Sequence, residues 1–200
     1  STPKPSSAAS DVYKRQELIE TLGKYRFILF WDKDIRLGKK FTNICKKINI
    51  PIYNNIRAIA DCDDKSATYE KIGQWNDCHD TLEQIKMIPT IVAPMTYENI
   101  GYTDMNFLDK VAEKFGFPLV IKECFGSFGM QVYMAHDMDE LKKRVSDIGG
   151  KPMIFQKFIE KSSGFDVRLQ VVGDEVVAAM YRYTDCLLYT SPSPRDRSLS

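Results

Sequence analysis

A turn with two glycines three residues apart follows a lysine at the end of an apolar strand. The segment is PLVIKECFGSFGMQV, and its polar and turn residues are Lys122, Gly126, Ser127, Phe128 and Gly129. Glycine amides lack Cβ crowding, so such a turn can fold closely over an anion such as phosphate, and a lysine supplies a point charge for it. The pattern is neither a P-loop nor a GxGxxG fingerprint. By itself the pattern more often marks a plain tight turn.

A second polar cluster lies in the strand DVRLQVV. Period-two alternation places Asp166, Arg168 and Gln170 on one face and apolar residues on the other. An arginine can donate two hydrogen bonds to a carboxylate or phosphate, while an aspartate accepts hydrogen bonds from hydroxyl or amine groups. The competing interpretation is a half-solvated sheet whose outer face carries a cross-strand ion pair.

The first third of the chain has a β-α-β pattern. A buried-type strand at 27–31, an amphipathic helix at 35–48 and a short strand at 51–53 favour a parallel sheet covered by helices. Asp64-Lys65-Ser66 opens a further helix, whereas two prolines exclude a helix over 87–97.

The rest of the chain predicts antiparallel strands with two more helices. A helical stripe over 107–115 is stopped by Gly116, and Asp137 with Glu140 forms a capping box for the next helix. Strands are predicted at 119–123, 130–135 and 152–156, before a hairpin with Gly173-Asp174 at its turn. We therefore expect an α+β protein whose N-terminal segment is α/β.

Composition excludes several classes of protein. The 200 residues are 44% hydrophobic and 28% charged with net charge +1, which is ordinary for a globular protein and gives no field that would attract nucleic acid or an anionic membrane. The longest apolar runs are far shorter than the roughly 20 residues of a membrane span. Five cysteines without CxxC spacing predict reduced thiols in a cytoplasmic protein, and Cys78-His79 lacks the second pair that a metal site needs.

Both ends of the chain have an unusual relation. Residues 11–16, DVYKRQ, can be encoded by GATGTGTATAAGAGACAG, and the reverse complement of that string, read in a shifted frame, encodes the CLLYTS of residues 186–191. This relation resembles the inverted adapters of transposase-based sequencing libraries. We expect residues 1–16 and 186–200 to be non-native tails around a native part of about 17–185. The competing interpretation is a flexible Ser/Pro-rich tail at each end.

The order of the motifs resembles one superfamily. Asp64-Lys65, IPTIVAPMTY, PLVIKECFGSFGMQV, IFQKFIEKSSGFDVR and VVGDEVVAAMYR follow one another as in ATP-grasp enzymes, and the chain is most similar to the RimK-type carboxylate–amine ligases over about 53–182. The resemblance implies a partial pre-ATP-grasp α/β domain at 17–60 and a partial ATP-grasp domain at 61–185. Its lid would span about 117–160.

The resemblance also implies an ATP site. Lys65 and Lys122 match the two lysines that lie against the phosphates, and Gly126 to Gly129 match the flap over them. Asp166 and Arg168 match positions that flank the nucleotide and the acyl substrate, with Arg168 stabilising negative charge. The hinge that pairs with adenine matches four consecutive residues, Gln156, Lys157, Phe158 and Ile159.

The implied reaction joins a carboxylate to an amine. The carboxylate attacks the γ-phosphate of ATP, and the amine of an amino acid, by default glutamate, displaces phosphate from the acyl phosphate. The acceptor would be a protein C-terminus or a small molecule, and the protein could form a homo-oligomer. The family's Mg²⁺ ligands, an acid followed by Glu-x-Asn, do not occur before the tail, so we expect this 200-residue chain to be inactive. The alternatives are a non-catalytic ATP-binding module and a ligase of the D-alanine–D-alanine type.

Overall fold

The computed structural model describes residues 11–97, 100–126 and 129–183. It divides into two compact units, residues 1–63 and 64–200. The helices and strands, in chain order, are α1 Asp11–Leu22, β1 Ile28–Leu29, α2 Ile35–Lys47, β2 Ile52–Tyr53, α3 Ile56–Asp63, α4 Lys65–Asp77, β3 Thr90–Val92, α5 Phe107–Phe115, β4 Leu119–Glu123, β5 Val132–Ala135, α6 Met138–Ile148, β6 Met153–Lys157, β7 Phe165–Val172 and β8 Glu175–Tyr183. No helix in the described ranges is long and apolar enough to cross a bilayer.

Two of the expected features lie partly or wholly outside these ranges. The predicted tail at 186–200 and the flap residues Ser127 and Phe128 are not among the described residues. Residues 11–16 of the other predicted tail form the start of α1. The two units meet between Asp63 and Asp64, three residues after the predicted domain boundary, and the domain limits stay predictions.

The first unit has the predicted β-α-β pattern. Strands β1 and β2 pair in parallel, with Ile28 opposite Ile52, and α2 connects them. Helix α2 begins where the Asp34 carboxylate accepts the Leu37 N–H at 2.9 Å, an N-cap that satisfies one of the unpaired amides of the first turn. Its apolar side, with the buried residues Ile44 and Cys45, packs against β1 and β2.

The strand prediction at 27–31 was only half right. Phe30 is buried, but Phe27, Leu29 and Trp31 are 58%, 56% and 84% exposed. Alternation along the chain turns these three away from α2, which covers the face that carries Ile28 and Phe30. A continuous apolar run therefore did not mean burial on both faces here.

The second unit contains a four-stranded antiparallel sheet in the order β3-β6-β4-β5. The predicted helices α5 and α6 pack on one face of it, with Leu108, Leu141 and Val145 fully buried. One half of the predicted capping box is confirmed, because the Asp137 carboxylate accepts the Glu140 N–H at 2.8 Å. The Glu140 carboxylate accepts the N–H of His136, one residue before the N-cap, at 2.9 Å.

The two faces of this sheet have different characters. Leu119, Ile121 and Phe155 point into the core beneath α5 and α6. On the opposite face, register places Lys122 opposite Ile154 and Val120 opposite Gln156. The sheet therefore separates a hydrophobic core from a face that carries two of the predicted site residues.

Strands β7 and β8 form the predicted hairpin, a separate two-stranded sheet. Gly173 at its turn has φ +60°, a conformation that favours glycine. The apolar residues Val167, Leu169 and Val171 are more than half exposed. In the described residues, backbone pairing between β7 and β8 holds the hairpin together, and these apolar side chains of β7 are not buried in a core.

Candidate functional site

The structure brings together the two lysines that the sequence singled out. Lys65 is the first residue of α4, and its Nζ donates to the carbonyl oxygens of Cys124 and Gly126, both at 3.3 Å. Lys122 lies two residues before Cys124, at the end of β4. Burial of the Lys122 ammonium, and secondly the positive charge of Lys65, lower the pKa of Lys122 below its ordinary value. Residues 57 positions apart in the chain therefore share one electrostatic environment.

Among the residues that the structure describes, no carboxylate pairs with Lys65 or Lys122. In the ranges that the structure describes, the ion pairs of lysine are Lys33 with Asp63 and Lys151 with Glu123, besides the interactions of Lys40 and Lys71. Two neighbouring cations, one of them half-buried, repel each other and lose hydration. Such an arrangement is stabilised when an anion binds between them.

The carboxylate nearest to Lys65 in the sequence, that of Asp64, is engaged in the cap of α4. It accepts the N–H groups of Ser66 at 2.8 Å and Ala67 at 3.3 Å and the Ser66 hydroxyl at 2.6 Å. The cap fixes the start of the helix, and the Lys65 N–H donates to the Cys124 carbonyl at 3.0 Å. The first turn of α4 is consequently tied to the end of β4, which sets the position of the Lys65 side chain.

The glycine turn requires glycine at position 126. Gly126 has φ +138°, and a Cβ at this position would clash with the side-chain amide of Gln131. Gly129 also has a positive φ, of +73°. Because Gly126 has no Cβ, a ligand can approach the backbone of this turn closely. The Oε1 atom of Gln131 is buried without a hydrogen-bond partner in the described chain, so one acceptor beside the turn is unsatisfied.

Cys124 was given no role from the sequence, yet it lies at the centre of this cluster. The side chain is fully buried, and burial raises the pKa of its thiol, while a hydrogen bond from Ser66 acts in the opposite direction. Its contribution to the lysine site is its backbone carbonyl, which accepts from both the N–H and the Nζ of Lys65. Every residue has a main-chain carbonyl, so the residue type of Cys124 did not predict this contact. The sequence Asp64-Lys65-Ser66, in contrast, predicted the helix cap.

The hinge residues begin on the same face of the sheet. Gln156 Nε2 donates to the Thr90 hydroxyl at 2.9 Å, which itself donates to the Ile88 carbonyl at 2.8 Å. The Lys157 N–H donates to the Pro89 carbonyl at 3.1 Å. These bonds fix the C-terminal end of β6 against the segment before β3.

An open pocket lies at this end of β6. It has a volume of about 370 Å³ and is lined by Phe115, Phe117, Pro118, Lys157, Phe158, Ile159, Glu160 and Lys161. The volume and the mixture of aromatic with polar lining are typical of small-molecule sites. Register places Lys157 opposite Leu119, three residues before Lys122 along β4. Alternation turns Lys157 to the α5 side of the sheet with Leu119, whereas Lys122 is on the other face.

The remaining two predicted residues lie on the hairpin. Asp166 and Arg168 alternate along β7 and therefore share a face, as predicted. Arg168 is exposed, and no hydrogen bond or ion pair within the described ranges joins it to the lysine pair. The structure thus brings Lys65, Lys122 and Gly126 together, and the roles of Asp166 and Arg168 stay predictions.

Glu123 is the one buried carboxylate of this strand, and its contacts are structural. It accepts the Tyr133 hydroxyl at 3.0 Å and the Lys151 ammonium at 3.3 Å. Burial, and then the hydrogen bond to Glu123, raise the pKa of Tyr133. Since alternation turns Glu123 to the α6 side of the sheet, it does not neutralise Lys122.

Comparison with known proteins gives the family. Residues 77–186 match the RimK-like ATP-grasp domain. An uncharacterized protein of Mycoplasma pneumoniae is 28% identical over 173 residues, which are 86% of this chain and 56% of the relative. Human N-acetylaspartylglutamate synthase A is 28% identical over 157 residues, 76% of this chain and 34% of the relative. The chain therefore spans about half or less of the length of these relatives.

A solved structure agrees on the fold. N5-carboxyaminoimidazole synthetase from Staphylococcus aureus, complexed with ADP, superposes with a TM-score of 0.55 at 18% identity, covering 76% of this chain and 35% of that one. At this identity the likeness concerns the fold alone. The sequence left open a RimK-type ligase and a ligase of the D-alanine–D-alanine type. The family match favours the first, because the RimK-like model matches more than half of the chain. This chain belongs to the RimK-like ATP-grasp family.

Proposed function

We propose that the lysine pair is the phosphate-binding part of an ATP-dependent carboxylate–amine ligase. The single observation that carries this proposal is the juxtaposition of Lys65 and Lys122 beside the Gly126 turn, with no carboxylate on either lysine. A polyphosphate would relieve their mutual repulsion and accept hydrogen bonds from both ammonium groups. Membership of the RimK-like family supports ATP as that polyphosphate.

The pocket beside the hinge is our proposed place for the base of the nucleotide. Phe117, Phe158 and Ile159 offer apolar surface to a planar ring, while main-chain groups of 157–159 offer hydrogen bonds. Gln156 stays on the lysine-bearing face, held by Thr90.

The proposed reaction assigns positioning and charge stabilisation to the protein. Lys65 and Lys122 hold the phosphates while a substrate carboxylate attacks the γ-phosphate, and ADP leaves. The amine of an amino acid then attacks the acyl carbon, and phosphate departs with formation of the amide. Arg168 is proposed to stabilise negative charge on the acyl phosphate and on the tetrahedral species that follows. Glutamate is our first choice of amino acid, supported by the name of the human synthase.

Magnesium does not fit the residues described here. Within residues 11–97, 100–126 and 129–183 no three His, Cys, Asp or Glu side chains cluster as a metal site. Mg²⁺ in nucleotide sites is bound through one or two carboxylates together with phosphate oxygens. No step of the proposed chemistry is assigned to the metal here.

Trapping of the acyl phosphate tests the reaction class. Hydroxylamine converts an acyl phosphate into a hydroxamate, so ATP, a set of dicarboxylic and amino acids, and hydroxylamine should yield hydroxamate from the uninterrupted coding sequence and none from the 200-residue chain. Lys122→Met in the longer protein should abolish the product. Binding of ATP without any hydroxamate or amide would favour the non-catalytic module instead, and hydroxamate formed by the 200-residue chain would overturn its expected inactivity. Consistent with an ATP-consuming enzyme, we place the protein in the cytoplasm.

A further inference from the structure

Helix α2 of the first unit carries only positive charges. Its sequence, IRLGKKFTNICKK, contains five basic residues and no acidic residue: Arg36, Lys39, Lys40, Lys46 and Lys47. Every other described helix contains at least as many acidic as basic residues. Solvated helix faces usually mix the two signs, since i,i+4 pairs of opposite charge stabilise them and like pairs do not. The concentration of cations on α2 therefore suits the binding of an anionic partner.

These cations form one stripe. At 100° per residue they fall, together with Asn43, within an arc of about 120° on the side opposite Cys45 and the buried face. Along the axis the stripe spans about 16 Å in two groups: Arg36 has Lys39 and Lys40 at i,i+3 and i,i+4, about 5–6 Å away, and Lys46 with Lys47 follows about 10 Å further along the axis. Arg36, Lys39, Lys46 and Lys47 are exposed, and we call these four residues the basic stripe. Lys40 already has a partner inside the protein and is left out.

Carboxylates near the start of the helix are engaged elsewhere. Asp34 caps α2 through the Leu37 N–H, and Asp63 accepts from Lys33 at 3.0 Å. At the other end, Lys46 and Lys47 lie in the last turn, where cations are favoured by the helix dipole. The dipole accounts for these two lysines, but not for Arg36 and Lys39 in the first turns, where the same dipole disfavours cations.

We propose that the basic stripe is a docking surface for an extended, acidic segment of a protein partner. In an extended chain, side chains on one side repeat every 6.6–6.8 Å or so, so the flexible side chains at the two ends of the stripe, about 10 Å apart along the helix axis, can each reach a different carboxylate of one such chain. Charge complementarity of this kind raises the association rate and fixes the partner's position more than it adds to affinity. The stripe lies on the first unit, whereas the lysine pair of the proposed ATP site lies on the second.

Two other polyanions fit the surface less well. Nucleic-acid-binding domains combine a basic face with a strongly basic overall charge, and single-strand binders add stacking aromatics, but this chain has net charge +1. The exposed aromatics Phe27 and Trp31 lie on the face of β1 that is turned away from α2. A membrane-surface helix needs its apolar side free, whereas the apolar side of α2 is packed around Ile44 and Cys45.

Fluorescence anisotropy of a labelled poly-L-glutamate peptide, titrated with the whole chain, tests the proposal. We expect saturable binding that weakens as salt rises from low to physiological ionic strength, because exposed charges are screened beyond a Debye length of about 8 Å at 0.15 M. The variant R36E/K39E/K46E should bind about tenfold more weakly or worse. The milder R36Q/K39Q/K46Q should show the same direction if the charge-reversal variant fails to fold.

A matched control separates the stripe from overall charge. K110E/K142E/K143E changes the net charge equally on α5 and α6, at exposed positions, and should retain the affinity of the unaltered chain. Equal loss in both triple variants, no binding of poly-L-glutamate, or stripe-dependent binding that is tighter for an RNA oligonucleotide of equal charge or for phosphatidylserine vesicles would each overturn the proposal. ATP affinity should not change in the stripe variants, so failure here leaves the proposed ligase function untouched.

Discussion

Replacement of Lys122 by methionine should raise stability and lower ATP affinity at the same time. Methionine keeps most of the side-chain length but removes a half-buried ammonium that loses hydration and is repelled by Lys65. Relief of repulsion between two partly exposed charges is worth up to about 1 kcal/mol, so the free energy of unfolding should rise by about that amount at most. Most substitutions destabilise a protein, and a stabilising one here would mark a residue retained for binding.

The affinity effect of the same substitution is larger. A hydrogen bond between a charged donor and a phosphate contributes about 1.5–3 kcal/mol, which corresponds to a loss of roughly tenfold to 150-fold in Kd. Titration of the chain with ATP, followed by NMR or calorimetry, measures this ratio, and urea denaturation measures the stability. Lys142→Met, at an exposed position on α6, is the matched control and should change neither quantity appreciably.

The pH dependence provides an independent check. The pKa of Lys122 is lower in the folded chain than in the unfolded chain, so between these two values the unfolded state binds more protons and stability rises with pH. Tyr133 and Cys124, whose pKa values are raised, act in the opposite direction at alkaline pH. The difference between the unaltered chain and the Lys122→Met variant isolates the lysine, and it should shrink as pH approaches the ordinary lysine pKa. An ATP affinity equal to that of the unaltered chain, or a stability loss at neutral pH, would refute this account of the lysine pair.

Three further predictions concern the framework of the site. Gly126→Ala should lower the free energy of unfolding by about 1–3 kcal/mol and weaken ATP binding, because φ +138° and the Gln131 side chain both exclude a Cβ. The control Gly73→Ala, inside α4 with open space around it, should instead raise the free energy of unfolding by about 1 kcal/mol. Equal behaviour of the two variants in urea denaturation would contradict the argument. Asp64→Ala should cost about 1 kcal/mol and weaken ATP binding through loss of the cap, whereas Asp64→Asn should keep both, as measured by denaturation and ATP titration. Tyr133→Phe should cost about 0.5–1.5 kcal/mol by removing its bond to Glu123 while leaving ATP affinity unchanged, and a change in that affinity would show that this bond supports the site.

Segments with a strong local period were predictable from the sequence. Helix α5 has its apolar stripe and its glycine stop, α6 has its Asp137 N-cap, and β4 runs from Leu119 to Glu123 as predicted. Local signals fixed these elements because their apolar faces, caps and turns agree with one another. Helix α3 was not predicted, since its eight residues offer little more than two turns of pattern.

Burial was harder to predict than secondary structure. The FILFW run looked uniformly buried, but a two-stranded sheet covered on one side leaves Phe27 and Trp31 exposed. Likewise the apolar residues of β7 are exposed although their alternation was read correctly. Alternation assigns residues to faces, whereas burial depends on what packs against each face.

The sequence by itself determined the identities and local settings of the candidate residues: a lysine at a strand end, glycines in the following turn, and a capping aspartate before Lys65. Only the tertiary structure decided that Lys65 and Lys122 act on each other. The hydrogen bonds from Lys65 to the Cys124 and Gly126 carbonyls produce that juxtaposition, and they involve main-chain oxygens that every residue possesses. Contacts of this kind carry no signature in residue type, so they become visible only when the chain is folded.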